Sequence, residues 1–319
     1  MIEKIQSVAV VGAGYMGGGI AQSLAATGYP VVIADVSADA AAATLERLNR
    51  EADDFEAKGM FPAGAADRVH AALSAASTIA EAVETADFVE EAVFEDVDVK
   101  HAVLAEVSAA ARREAIIGSN TSTIPVHVLA EAVTGPERFL TVHWSNPAPF
   151  IPGVELVAGE KTDRAIIPVV KDMLTRAGRQ SAVVADVPGF VLNRLQYVLL
   201  SEAIAIVEEG VATVEDVDTI VRSTFGFRLP FFGPFAIADM AGLDTYRGGY
   251  RTLHDGLGER FATPRMIAET VDAGHYGLKN GEGLTGGFDA ERTERYVAYR
   301  SEAYSRLSAL LRELGSPDD

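Results

Sequence analysis

The sequence predicts an α/β protein in two parts. A doubly wound, mostly parallel sheet with a helical-hairpin insertion is expected over residues 1–186, and an all-helical domain over residues 187–319. Three observations carry this. Short apolar, β-branched runs alternate with Ala-rich helical stretches through the first half, the pattern of βαβ units. The alternation stops after Asp186-Val187-Pro188-Gly189, and helical periodicity dominates beyond it. A length of 319 residues, at roughly 150 residues per domain, suggests two domains.

The candidate strands, in order, are Val8–Val11, Val31–Asp35, Phe88–Glu91, Ile116–Ser119, Leu140–His143, Glu155–Val157 and Ala182–Ala185. Several are nearly continuous apolar runs, as strands covered on both faces are. Residues 37–75 read as a charged helical hairpin projecting from the first domain, with Gly59 and Pro62 at its turn. It is either a solvated helix pair or a ligand contact. Pro188 and Gly189 suit a domain junction followed by a helix start. The helix from about Phe190 to Glu209 is apolar on most faces, so burial in a core or at a subunit interface is expected. Gly210 ends it. Further helices are expected at Val214–Ser223 and Asp289–Leu314, the latter with Tyr296, Ala303, Leu307, Leu310 and Leu314 on one stripe. The final Gly-Ser-Pro-Asp-Asp reads as a frayed tail.

Composition narrows the function. The 27 Lys+Arg against 46 Asp+Glu give a formal net charge of −19, which argues against nucleic acid and weakly against an anionic membrane. Zero Cys removes thiolate metal sites and a Cys nucleophile. No signal-peptide pattern opens the chain. No apolar run is long enough to span a bilayer. The expectation is a cytoplasmic protein with no membrane and no nucleic-acid partner.

Strand Val8–Val11 runs into Gly12-Ala13-Gly14-Tyr15-Met16-Gly17, followed by a helix. In this context the glycines have separate tasks: Gly12 makes the tight turn, Gly14 lets backbone approach a pyrophosphate, and Gly17 lets helix pack on strand. The helix N-terminus then offers N–H groups and a positive dipole end to phosphates. Asp35, ending the second strand, would accept hydrogen bonds from ribose hydroxyls and repel a 2′-phosphate. Val36-Ser37-Ala38 supplies no Arg to receive one. The pattern reads as a Rossmann-type site with NAD as the expected cofactor; a Rossmann-like turn holding FAD, or nothing, is the alternative.

Of the six His (His70, His101, His127, His143, His254 and His275), five lie in helical or loop contexts. His143 ends a candidate strand, where open α/β sheets bind ligands. Glu155 opens the next apolar strand, an expensive place for an unpaired carboxylate. It pairs with His143 or forms a surface salt bridge. In the first case it fixes the imidazole tautomer and leaves the other nitrogen to take a proton from an alcohol. Ser119-Asn120-Thr121-Ser122-Thr123 is a polar cluster that either belongs to the site or is a capped turn. Asn193 is a lone amide on an apolar helix start, where a substrate oxygen would satisfy it. The Phe-rich run Phe225–Pro234 reads as packing in preference to a ligand pocket.

Together these motifs resemble the 3-hydroxyacyl-CoA dehydrogenase family. The resemblance runs from Gly12–Gly17 through Ser119-Asn120-Thr121-Ser122, His143-Trp144-Ser145-Asn146-Pro147 and Pro188–Asn193 to Gly233-Pro234-Phe235 and Ala241-Gly242-Leu243-Asp244. It implies a catalytic His143 with Glu155 as its partner, and substrate-oxygen contacts at Ser122 and Asn193. It also implies nicotinamide-side contacts at Glu95, Lys100 and Asn120, with Tyr15 and Met16 in the cofactor loop. No metal is implied. The helical domain would build a homodimer, and the place in metabolism would be fatty-acid metabolism.

The expected function is therefore NAD-dependent interconversion of a secondary alcohol and a ketone on a small acyl or acid substrate. An L-3-hydroxyacyl-CoA leads. His143-Trp144-Ser145-Asn146-Pro147 departs from the family's usual H-x-F-N-P. It looks like a branch including a pyridine-carboxylate dehydrogenase of vitamin B6 breakdown; other relatives act on sugar acids and carnitine. The family's CoA-facing bases are matched loosely, by Arg50 and Lys58. A dehydrogenase of a free hydroxy acid or aromatic aldehyde is thus the alternative. A non-catalytic NAD-binding or structural protein is the alternative of another class.

Overall fold

The structure, a computed structural model, describes residues 2–315. Most of the expected C-terminal tail therefore lies outside the described residues. The chain divides into two compact units, Met1–Leu200 and Ser201–Asp319.

The first unit is built on eight strands: β1 (Val8–Val11), β2 (Val31–Ala34), β3 (Leu73–Ala75), β4 (Phe88–Glu91), β5 (Ile116–Ser119), β6 (Phe139–Trp144), β7 (Gly153–Val157) and β8 (Gln180–Val184). They lie in the order β3-β2-β1-β4-β5-β6-β7-β8. Every neighbouring pair is parallel except β6–β7. The chain winds outward from β1 in one direction to β3, then returns to β4 on the other side of β1. That reversal opens a crevice at the carboxyl ends of β1 and β4, where open α/β sheets take ligands.

The helices of this unit are α1 (Tyr15–Ala25), α2 (Ala38–Ala57), α3 (Ala65–Ala72), α4 (Ile79–Val83), α5 (Val97–Ala110), α6 (Val126–Leu129) and α7 (Ile166–Arg176). One face of the sheet buries Val8, Val10, Phe88, Leu140 and Val142 with Ile20, Leu24 and Val170. The other buries Ala9, Val11, Val89 and Ile117 with Leu104, Val107 and Leu129. Because both faces are covered, the central strands carry apolar residues on both sides, which is why they read as continuous runs.

Three differences from the sequence expectation have physical causes. Strand β3 falls inside the segment read as helical. It is only Leu-Ser-Ala at the sheet edge, too short to show a period of two. The hairpin α2–α3 does not simply project, because Leu48, Ala52 and Val69 belong to the core on the β1 face. Its charges sit on the outer face of helices whose inner face packs. The strand ends are longer than read, since β6 reaches Trp144 and β7 begins at Gly153.

Helix α8 (Leu192–Glu208) spans the division between the units. The second unit continues with α9 (Val214–Ser223), α10 (Phe225–Arg228), α11 (Pro234–Ala241), α12 (Leu243–Leu257), α13 (Arg265–Asp272) and α14 (Ala290–Leu314). It is not wholly free of strands, since Glu282–Gly283 and Gly286–Gly287 form a short antiparallel ladder. The aromatic run packs as read: Phe227, Phe231 and Phe232 meet Tyr296, Tyr299 and Tyr304 of α14 edge to face or tilted. Phe225 is different and lines a cavity. Of the expected α14 stripe, Ala303 is buried, whereas Leu310 and Leu314 are exposed. Helix α8 has no buried residue, so of its two expected settings the chain's own core is not the one it takes. Tyr197, Val198 and Leu200 are 65%, 61% and 55% exposed.

Candidate active site

The glycine loop leaves β1 with Gly12 at φ 88°, a conformation only glycine adopts without strain. A Cβ on Gly12 would lie 2.8 Å from the backbone of Ala92 and Val93. A Cβ on Gly17 would lie 1.9 Å from the Gly12 carbonyl oxygen, so α1 packs on the loop only with glycine there. Gly14 faces open space, with nothing within 4 Å of where its Cβ would stand. No side chain caps the start of α1, so its terminal N–H groups remain available to an anion.

A cavity of about 440 Å³ runs along this loop, lined by Gly12, Gly14, Tyr15, Met16, Asp35, Val36, Ala92, Val93, Phe94, Glu95, Asn120 and Ser122. It extends from the acid that ends β2 to the serine beside His143. Asp35 Oδ2 accepts from Ala13 N at 3.1 Å, which ties the acid to the glycine loop. Val36, Phe94 and the Ala92-Val93 segment line the cavity without any sequence signal that singles them out. Val36 and Phe94 are 92% and 85% exposed.

His143 and Glu155 face each other across the antiparallel β6–β7 ladder as direct register partners. His143 Nδ1 lies 2.8 Å from Glu155 Oε2, and Nε2 lies 3.2 Å from Ser122 Oγ. An ionised carboxylate only accepts, so Nδ1 carries a proton, and in the neutral imidazole Nε2 presents its lone pair to Ser122. Burial alone would raise the Glu155 pKa. The hydrogen bonds from His143 and from the N–H groups of Leu192 and Val191 outweigh it and hold the carboxyl below its ordinary range. Both backbone bonds, to Glu155 Oε1, are 2.9 Å. The residues just before α8, Gly189, Phe190 and Val191, offer no side-chain oxygen. A carboxylate from β7 therefore caps this helix in their place. Phe190 has φ 47°, rare for a bulky residue. Its buried ring meets the His143 ring edge-on at 5.7 Å.

The polar cluster is a braced loop as well as a candidate site. Glu95 Oε1 accepts from Thr121 Oγ1 at 2.7 Å and from the N–H groups of Ser122 and Thr123 at 2.8 Å each. Burial opposes its ionisation, but these bonds and the Lys100 charge hold its pKa down. Asn120 Oδ1 accepts from Trp144 N at 2.8 Å, pinning the loop to β6. Asn193 Nδ2 donates to the Ser122 carbonyl at 3.1 Å, so the lone amide on α8 already has one protein partner.

Lys100 does not reach the cavity. It is fully buried, with Nζ 2.8 Å from Glu91 Oε1, 3.2 Å from the Val93 carbonyl and 3.6 Å from Glu95 Oε2. A buried ammonium needs such compensation, and this one fixes the strand end and the loop that flank the cavity. Glu91, which also accepts from Ser119 Oγ at 2.6 Å, had no signal in the sequence beyond an acid at a strand end.

Comparison with known proteins shows the family. The family model for the 3-hydroxyacyl-CoA dehydrogenase NAD-binding domain matches residues 7–187, and that for the family's C-terminal domain matches residues 189–286. The chain belongs to the 3-hydroxyacyl-CoA dehydrogenase family. It is an NAD-dependent dehydrogenase, as that family is. A 5-formyl-3-hydroxy-2-methylpyridine 4-carboxylate 5-dehydrogenase of Mesorhizobium japonicum is 36% identical over 93% of this chain and 97% of its own length. A 3-hydroxybutyryl-CoA dehydrogenase of Bradyrhizobium diazoefficiens is 35% identical over 89% of this chain and 96% of its own. A crystal structure of a 3-hydroxyacyl-CoA dehydrogenase from Archaeoglobus fulgidus superposes with a TM-score of 0.79. It is 33% identical, covering 97% of this chain and 99% of that one.

Against the dehydrogenase family's expected CoA contacts, the hairpin bases are engaged locally. Arg50 lies 3.8 Å from Glu46, Lys58 lies 2.5 Å from Asp54 and Arg47 lies 2.9 Å from Glu51. Among the described residues no helix is long and apolar enough to cross a membrane.

Proposed function

We propose that this dehydrogenase interconverts a secondary alcohol and a ketone, with His143 as the general acid/base. One observation carries the reading: the Ser122–His143–Glu155 chain of contacts adjoins the glycine-loop cavity at Ser122. The cavity fits NAD: an uncapped helix start for the pyrophosphate, space at Gly14 and a carboxylate at Asp35. Gly12, Gly14, Tyr15, Met16, Asp35, Glu95 and Asn120 would hold it, Gly17 letting α1 pack close to the loop, and Lys100 acting through Glu91 and Glu95. Bound NAD supplies the hydride acceptor. In oxidation His143 Nε2 takes the hydroxyl proton, and in reduction it returns it. Glu155 holds the tautomer and stabilises the imidazolium. Ser122 Oγ and the Asn193 amide hold the substrate oxygen, Asn193 while keeping the Ser122 loop in place.

The leading substrate is an L-3-hydroxyacyl-CoA, which would place the enzyme in cytoplasmic fatty-acid metabolism. Relatives named 3-hydroxybutyryl-CoA dehydrogenase support it. A second reading, a free hydroxy acid or aromatic aldehyde, is favoured by the locally paired hairpin bases and by a net charge of −19. Neither feature attracts a multiply charged CoA from a distance. The helical part, taken from residue 187, would form a homodimer through the exposed apolar face of α8.

The test is NADH absorbance with acetoacetyl-CoA, 3-hydroxybutyrate and pyridine aldehydes, using wild type and His143→Gln. The reading expects turnover of one class and a loss of about 10²–10⁴-fold in kcat for the variant, with NADH affinity retained. Turnover of the variant near the wild-type rate would refute it.

A further inference from the structure

The second unit holds a cavity with a cationic wall that the dehydrogenase chemistry does not use. It encloses about 260 Å³ and is lined by Arg228, Ile237, Met240, Ala241, Arg300 and Tyr304. Arg300 and Tyr304 are one turn apart on α14 and so share a face. Arg228 ends α10. Both arginines are partly buried.

Other arginines of α14 are engaged. Arg292 donates to the Gly287 and Thr285 carbonyls, Arg295 to Glu291, Arg306 to Glu302 and Arg312 to Ser308. Arg228 and Arg300 have no such partner among the described residues. The sequence explains why. Three and four positions from Arg300 stand Tyr296, Val297, Ala303 and Tyr304, and the same positions around Arg228 carry no acid. Asp239, next to Met240, is turned to other work, accepting from the Leu284 and Thr285 N–H groups at 2.8 Å. The Tyr304 hydroxyl is buried and has no hydrogen-bond partner. In a chain with 46 acidic residues, two uncompensated, partly buried guanidiniums lining one cavity call for an anion.

Arg228 and Ile237 also line an adjoining chamber of about 360 Å³, whose other walls include Phe225, Ala238, Tyr246 and Ile267. We propose that the two cavities form one binding site for a small organic monocarboxylate. Its carboxylate would be held between Arg228 and Arg300, and its aromatic or short aliphatic body would lie in the chamber. Planar guanidinium forks match a carboxylate. A phosphoryl group would meet the same forks, but the apolar walls around them, Ile237, Met240 and Phe225, favour an anion that carries an apolar body.

The test is isothermal titration of the full chain with 4-phenylbutyrate, 4-phenylbutyramide and inorganic phosphate. The expected result is saturable 4-phenylbutyrate binding, weakened at least tenfold in Arg228→Gln/Arg300→Gln and unchanged in His143→Gln. The neutral amide should bind at least tenfold more weakly. Circular dichroism confirms the fold of each variant. If the double variant does not fold, Arg228→Lys and Arg300→Lys are titrated singly, and each should weaken binding through loss of the fork. No saturable binding, equal binding of the amide, or undiminished binding in the folded variants would overturn the proposal. Phosphate binding of equal strength would overturn the carboxylate assignment. A change of oligomeric mass in the variants would reassign the arginines to a subunit contact and overturn it as well.

Discussion

Glu155 reaches His143 from the directly opposed position on the neighbouring antiparallel strand, at 2.8 Å. Its other oxygen takes the two N–H groups that open α8. One side chain thus serves the imidazole and a helix start together. The twelve-position spacing is what the β6–β7 connection needs to bring them into register.

Glu155→Gln replaces the acceptor opposite Nδ1 with an amide that can also donate, so the tautomer is no longer fixed. We expect kcat to fall by about 10²-fold or more, measured under saturating NAD. The acid limb of stability should change too. The folded-state pKa of Glu155 lies below the ordinary 4.5. Its contribution is therefore present above that value and lost as pH falls through the folded one. Urea unfolding between pH 3 and 7 should show a shallower acid slope in the variant.

Gly14→Ala and Gly17→Ala should separate cofactor binding from folding. The first places its methyl in open space and should leave the melting temperature nearly unchanged while weakening NADH at least tenfold by fluorescence titration. The second meets the Gly12 carbonyl oxygen at 1.9 Å. It should lower stability by about 1–3 kcal/mol through overpacking and lose NADH binding with it. An unchanged melting temperature in Gly17→Ala would contradict the packing described for α1.

Glu90 is buried on β4 with neither carboxylate oxygen hydrogen-bonded. Burial first, and the neighbouring Glu91 charge second, raise its pKa well above 4.5, while Lys100 opposes them. Between 4.5 and that raised value the folded chain binds more protons than the unfolded one, so stability falls as pH rises. Glu90→Gln removes the titration. It should flatten this slope and make the protein more stable than wild type at pH 8, by about 1–3 kcal/mol, read from denaturant midpoints at pH 6 and 8.

Leu195 and Val198 stand three residues apart on the exposed apolar side of α8, 54% and 61% exposed. Their replacement together by Glu should turn the proposed homodimer into a monomer by light scattering. An unchanged mass would place the subunit contact elsewhere.

What the sequence made legible follows from the kind of constraint involved. The glycine loop was readable residue by residue, because a positive φ at Gly12 and a close approach at Gly17 exclude every other side chain. His143 and Glu155 were readable as polar groups in apolar strands, although only the antiparallel turn of β7 decides that they meet. Lys100 was named through the resemblance as a nicotinamide-side contact, but its burial was not readable, because that depends on Glu91 and Glu95 closing around it. Strand β3 escaped because three edge residues carry no pattern. The α8 face read as apolar, and it stands in the fold with no buried residue.

The double duty of Glu155 has a thermal consequence. If His143 transfers the proton as proposed, fraying of the first turn of α8 would withdraw N–H donors from the carboxylate beside it, and local loosening and loss of turnover would share one equilibrium. Local openings cost less than global unfolding. Heated gradually, the enzyme should therefore lose turnover at a lower temperature than it loses its far-ultraviolet dichroism. An inactivation curve would then be a thermometer for one helical turn.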